Sequence, residues 1–438
     1  TNLGASSLGE PGLSGLNLNT YVSIGTKLFV QIFRIPWDVA SRMLFFWPFL
    51  LVGALSSYYC GYFMLKNRLW ATLSMLIYLS NSYILMIAGG GQVGIFMAYA
   101  IAPLVLGSFT RRSVVIFTIA LTLILLFDLR ISLLIFFVLF LYVICVLPVK
   151  EWSGVIRFGI LPAVITLGLH SFWLLPVIAA RGITLPGDFA DPKWLTFLSW
   201  AEFSKTLSLL HPNWPENIFG KTYFMQPEFL LLPIAAYGSL YLLIQKRRGI
   251  IRDVSVNAFP TYRILIFVSL LGLIGAFLSK GVNPPIGELY RWMFEHVPFF
   301  SAFREPTKFY LLTSLSYSVL IPWSLMAATT WIEHRFKYVS AAPVIVFILS
   351  VITWSGIIRQ VFLGEVRGSF SRVTVPPAYQ QFAGLVTMTP DFSRTLAAPW
   401  KNRFIYESEN HPVISASEVF HTTDIRTLAD ILETASAA

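Results

Sequence analysis

Long apolar runs separated by short polar connections fill the first 361 residues of the chain. Most of these runs approach the roughly 20 residues an α-helix needs to cross a hydrocarbon core about 30 Å thick. Ten are predicted as spanning helices, near 43–65, 70–88, 93–109, 113–127, 131–147, 158–180, 227–244, 264–279, 307–330 and 339–361. Only Asp128-Leu129-Arg130 separates the fourth from the fifth. As one helix they would measure about 52 Å, far more than a bilayer core, so they must fold back as a hairpin. An unpaired carboxylate at its apex would cost on the order of 2.5–3.5 kcal/mol at membrane depth, so Asp128 is expected to pair with a neighbouring Arg.

The polar connections alternate in charge. Lys66/Arg68, Arg111/Arg112, Lys150/Arg157, the set Lys246, Arg247, Arg248, Arg252 and Arg263, and Arg335/Lys337 follow alternate spans, and only Glu151, Asp253 and Glu333 offset them. Lys and Arg retained on the cytoplasmic side produce this asymmetry, which turns the other connections, the first forty residues and the C-terminal tail outward. Any chemistry is therefore expected outside. Three outward segments are too long for simple turns: 1–42, 181–226 and 280–306. In the first, Val22, Ile24, Leu28, Phe29, Ile32 and Phe33 have the spacing of a helix lying in the interface. Residues 362–438 lack a spanning run, contain Pro376-Pro377 and a capping-like Thr422/Thr423-Asp424, and are read as an outward soluble segment. The expected organisation is an exoplasmic first loop (1–42), a helical membrane domain (43–361) and an exoplasmic C-terminal segment (362–438). Trp47, Trp70, Trp152, Trp173, Trp331 and Trp354 near the span ends suit an aromatic belt.

Composition strengthens the picture. A hydrophobic share of 56% with 12% charged residues departs far from the roughly 45–50% and 25% of soluble domains, and marks an all-α, multi-pass protein of the cell membrane. The net charge of +10 sits mainly in short inner loops, where topology and anionic head groups account for it, so no nucleic-acid partner is expected. Cys60 and Cys145 lie inside apolar runs and form neither a disulfide framework nor a CxxC metal site. The chain starts at Thr1 without Met or a signal-type stretch and reads as a fragment whose first span precedes it.

Candidate chemistry concentrates at the mouth of the ninth span, in Phe300-Ser-Ala-Phe-Arg304-Glu305-Pro306-Thr-Lys308-Phe309. Ionisable residues at the edge of the membrane are costly to bury and well placed to meet a phosphate. Arg304 and Lys308, four apart, could share a helix face; the competing reading is that Arg304 and Glu305 cap a helix that Pro306 starts. Arg291 beside Trp292 suits phosphate binding or an interfacial anchor. His211-Pro-Asn-Trp214-Pro-Glu216 combines an imidazole, an aromatic face and a carboxylate, a mixture suited to sugars or to ordinary loop packing. His170 in the sixth span is either a relay or a hydrogen bond to a neighbouring helix. Gly89-Gly90-Gly91 lacks the ending of a P-loop, and neither HExxH nor GxSxG is present, so no metal and no cofactor are expected.

The runs YLSNSYILMIAGGGQVGIFMAYAIAPLVL (78–106), HSFWLLP (170–176) and FSAFREPTKF (300–309), with the Pro-Pro-x-Tyr stretch at 376–379, resemble the GT-C superfamily of polytopic glycosyltransferases, in particular bacterial arabinofuranosyltransferase-like membrane proteins. The resemblance implies a polyprenyl-phosphate sugar donor taken at the outer face and a glycan, lipid or protein acceptor. It also implies a catalytic acid in the first outer loop, which in this chain lies before Thr1 or is Glu10. Under it, Arg304, Lys308 and Arg291 would meet the donor phosphate, Glu305 would orient them or act as the acid, and His211, Trp214 and Glu216 would shape the sugar or acceptor side. A transporter or lipid-linked sugar flippase, and a non-catalytic scaffold of envelope polysaccharide assembly, are the competing readings.

Overall fold

The computed structural model describes residues 21–179, 192–211, 227–247, 262–335, 341–366, 375–389, 391–398, 405–408 and 410–420, with 427 and 430. The chain divides into two compact units, Thr1–Phe370 and Ser371–Ala438. The first is built of helices joined by turns and short extended stretches, with no strand among its described residues. After helical turns over 21–32 come α1 (Trp37–Leu65), α2 (Arg68–Leu79), α3 (Ser82–Gly89), α4 (Val93–Thr110), α5 (Val114–Phe127), α6 (Leu129–Val146), α7 (Trp152–Leu169) and α8 (Ser171–Ala179). Two short helices, α9 (Lys193–Leu198) and α10 (Phe203–Leu207), lead to α11 (Leu231–Arg247), α12 (Tyr262–Ser279), α13 (Gly287–His296), α14 (Tyr310–Arg335) and α15 (Ala342–Ile357). Each predicted apolar run contains a helix, with breaks at 80–81 in the second and at His170 in the sixth. By length and composition, six helices among the described residues can cross a membrane, or seven if α2 and α3, bent by 45°, form one span. This makes the chain a multi-pass, mostly helical membrane protein. α5 and α15 are apolar but shorter.

The bend between α2 and α3 frees backbone groups that lipid cannot satisfy, and Asn81 takes up several of them. Its amide donates to the carbonyls of Tyr78 (2.7 Å) and Ile77 (3.1 Å) and to the Tyr99 hydroxyl (2.9 Å), while its oxygen accepts from Ile84 N–H (3.2 Å). Tyr78 and Tyr99 stack 4.2 Å apart, and each hydroxyl donates to the other's carbonyl.

The predicted hairpin is present. Helix α5 stops at Asp128, α6 starts at Leu129, and an Arg112–Glu151 ion pair (2.8 Å) ties the two feet together. Contacts between basic connections gather at this end of the hairpin. Arg263, at the start of α12, donates to Val146 O at the end of α6 (3.3 Å). At the opposite end of those helices, the segment 199–211 is tucked into the bundle. Asn283 donates to Ser199 O (2.7 Å), Ser82 to Leu209 O (2.7 Å) and Tyr310 to Leu210 O (2.7 Å). The aromatic belt is realised only in part: Trp47, Trp152 and Trp331 are exposed, whereas Trp70, Trp173 and Trp354 are buried, Trp354 donating to Ser80 Oγ (2.8 Å).

Helix α14 runs through the centre, packed by α2, α11, α12 and α15. Close approach of α12 depends on small residues, as in other membrane bundles. A Cβ at Gly275 would lie 2.7 Å from both Leu312 Cβ and Thr313 N. Nearby, Ser316 donates across to Val268 O (2.6 Å).

The second unit, by itself, contains α16 (Pro377–Thr387) and a parallel pair of strands, β1 (Thr395–Ala397) and β2 (Val413–Ser415), with Thr395 opposite Val413. Ser393 Oγ and His411 Nδ1 lie 2.9 Å apart beside it. The segment predicted from residue 362 becomes a separate unit from Ser371, and the capping-like Thr422/Thr423-Asp424 lies outside the described residues.

Candidate functional site

The polar residues of the 199–211 end converge on the start of α6 and the approach to α14. Asp128 is extended, 1% exposed, and caps α6, accepting from the N–H groups of Arg130 (2.8 Å) and Ile131 (3.1 Å). The same carboxylate receives the Arg130 fork through Nε (3.2 Å) and Nη2 (2.7 Å). This is the pairing expected of a charge at the hairpin apex, and it fixes the Arg130 guanidinium.

Residues 300–309 form two 3-10 turns, Phe300–Phe303 and Pro306–Phe309, with Glu305 extended between them. Pro306 opens the second turn, as a proline at the first helical position should. Lys308, only 1% exposed, forms an ion pair with Glu305, whose Oε1 also accepts from Thr307 Oγ1 (2.8 Å). Burial alone would raise the Glu305 carboxyl, but the Lys308 charge and hydrogen bond, then Thr307 and Arg130, hold it down at about 2. A carboxylate so stabilised is a weak base, so the geometry suits Glu305 to holding Lys308 rather than to accepting a proton. Lys308 is sealed behind that pair, and α14 begins only at Tyr310, so the face it was expected to share with Arg304 is not formed. Arg304 is half-buried. Burial lowers its guanidinium from the ordinary value, Glu305 opposes this, and the nearby Arg130 adds to it. Besides Lys308, the cations of this cluster are Arg304 and Arg130, the latter held by Asp128. The sequence marked Arg130 only as a partner for Asp128.

His211 is buried rather than displayed on a loop. Its ring meets Tyr310 edge-on (5.3 Å between centroids) and Tyr83 at a tilt (5.5 Å), and the His211 backbone N–H donates to Ser82 Oγ (2.8 Å). Burial pushes the imidazole down to about 3, with Glu305 opposing and Lys308 reinforcing, so it is neutral at physiological pH. The Tyr83 hydroxyl beside it has no partner among the described residues. A sequence reading of His211 as a sugar contact gives way to one of packing, since 3% exposure leaves no face for a ligand. Between pH 6.5 and about 3 the unfolded chain binds a proton at His211 that the folded chain does not, so stability falls as pH falls through that window. His211→Phe is expected to flatten the dependence of melting temperature on pH between 6.5 and 4.5, a slope worth at most about 1.4 kcal/mol per pH unit, measured by intrinsic fluorescence in detergent. An unchanged slope would contradict the burial argument.

Arg291, on α13, faces Glu288 (3.8 Å). Glu10, Trp214 and Glu216 lie outside the described residues. His170 closes a structural bridge: Trp173 Nε1 donates to its Nδ1 (2.8 Å), which leaves Nε2 to donate to Thr122 O (3.0 Å). Both ring nitrogens are engaged, which disfavours a proton relay. No group of three His, Cys, Asp or Glu suited to a metal occurs among the described residues.

Next to the charged cluster runs an apolar groove of about 620 Å³, lined by α6, α12, α13 and the 300–309 turns. Leu133 and Leu134, one turn beyond Arg130, and Phe303 and Phe309, flanking Arg304 and Lys308, belong to its wall. Guanidinium groups beside a channel of hydrocarbon side chains can seat an amphiphile with an anionic head. No family model matches this chain, and no curated protein or solved structure matches it.

Proposed function

We propose that the chain is a ten-span, GT-C-like membrane glycosyltransferase that takes a sugar from a polyprenyl-phosphate donor at the outer face of the membrane and passes it to an envelope glycan, lipid or protein acceptor. The observation that carries the reading is the apolar groove adjoining Arg130 and Arg304. The prenyl tail would lie along Leu133, Phe303 and Phe309, and the phosphate, which leaves as an anion, would be held by the two guanidinium groups. Glu305 and Lys308 neutralise one another beneath them and act as positioning residues. The acceptor hydroxyl needs a carboxylate base, and Glu10 or an acid before Thr1 is assigned that role through the resemblance.

The test is transfer from a radiolabelled polyprenyl-phosphate sugar to acceptor by the full-length protein in liposomes. Arg304→Ala is expected to lower transfer by about 10²–10³-fold, the usual effect of removing one preorganised donor to a developing anion. Wild-type rates from both Arg304→Ala and Arg130→Ala would remove the assignment. The broken α2–α3 span favours the flippase as the second reading; movement of the labelled lipid between leaflets without transfer would support it. Labelling of Phe299→Cys but not Val149→Cys by an impermeant reagent in intact cells is the expected sidedness, both positions being exposed at opposite ends of the bundle.

A further inference from the structure

We infer that α13 is an in-plane anchor at the junction of protein, lipid and water, seated in the head-group layer so that the apolar groove opens sideways into the leaflet. Its position is fixed by the chain, since α12 ends its span at Ser279 and the next begins at Pro306, so a helix between them lies at the membrane surface. At 100° per residue its side chains divide into three faces. Tyr290 and Phe294 are buried against the protein, and the Tyr290 hydroxyl donates to Phe303 O (2.6 Å). Glu288, Arg291 and Glu295 share a second, charged face.

The third face carries Leu289, Trp292, Met293 and His296, with Trp292 53% exposed and stacked on the His296 ring at 5.4 Å. Leu289 and Met293 also line the groove, so its wall is continuous with this face. Water would not select such a surface, whereas the interface, which favours Trp over an apolar edge, would. Ile286 and Phe299 bracket the helix, and both have left-handed backbones (φ 54° and 65°) that send large apolar side chains outward, 68% and 78% exposed. Strain at two non-glycine residues is explicable if those side chains reach lipid. The inference stands for a transferase or a flippase alike, because it concerns depth and requires no substrate.

Nitroxide labels at Cys substitutions of residues 288, 289, 292, 295 and 296, in full-length protein carrying Cys60→Ala and Cys145→Ser, would be compared in vesicles of phosphatidylcholine and phosphatidylglycerol. Collision with oxygen should exceed collision with a nickel chelate several-fold at 289, 292 and 296, and the order should reverse at 288 and 295. Equal nickel access at all five positions would overturn the inference, as would a deeper position for 288 and 295. As a label-free measurement, Trp292→Phe should reduce quenching of intrinsic fluorescence by lipids brominated near the head group; an unchanged quenching profile would count against it.

Discussion

Replacing Glu305 by Ala is expected to lower stability by about 3–5 kcal/mol, the cost of leaving a buried charge without its partner. Lys308 is 1% exposed and its ammonium meets the Glu305 carboxylate directly, so truncation strands a cation at the edge of the hydrocarbon region. The neighbouring cation Arg130 makes that environment less hospitable still. Removing both charges together should restore most of the loss, because the desolvation cost disappears with the attraction. Glu305→Gln with Lys308→Met is the matched pair, since each replacement keeps the shape of the side chain. A double-mutant cycle read from unfolding in mixed micelles measures the coupling. Additive losses across the cycle would show that the pair is not energetically linked.

Gly275→Val is the second large effect, with an expected loss of about 1–3 kcal/mol or more from overpacking. The obstruction is backbone as well as side chain, since the added Cβ would sit 2.7 Å from Thr313 N, and no rotamer of a neighbour relieves it. Separation of α12 from α14 would also open the Ser316–Val268 hydrogen bond and disturb the groove, one wall of which is α12. Gly238 in α11 serves as the control, having nothing within 4 Å of its added Cβ, and Gly238→Val should change stability by no more than about 0.5 kcal/mol. Equal effects at the two glycines would show that helix propensity, not close packing, governs both.

The helices were legible because lipid imposes a local rule: every residue of a span must be apolar or satisfied within its own segment or by a neighbouring helix. The hairpin at Asp128 followed from length alone, and its Arg partner from the cost of an unpaired charge. The candidate site was much less legible, because it is assembled from distant pieces. Tyr83, His211 and Tyr310 meet although they come from three distant stretches of the chain. Nothing local to His211 signals that Ser82 receives its backbone N–H, so a loop position read as solvated chemistry proves to be packed. Lys308 was misplaced for a related reason, since the four-residue spacing from Arg304 supposes a helix that the 3-10 turns at 300–309 do not form. Arg130 was visible, but only as a neighbouring Arg able to neutralise Asp128.

The segment 199–211 has a consequence for how the protein is made. Its carbonyls at Leu207 and Leu210 are taken up by Tyr317 and Tyr310, and that at Ser199 by Asn283. All three donors emerge from the ribosome some eighty to a hundred and ten residues after the groups they satisfy. Until Asn283 and then α14 emerge, those carbonyls have to find water or a chaperone. A nascent chain arrested before Tyr310 would therefore present an unfinished end to the quality-control machinery, whereas one arrested after Arg335 would present a closed one.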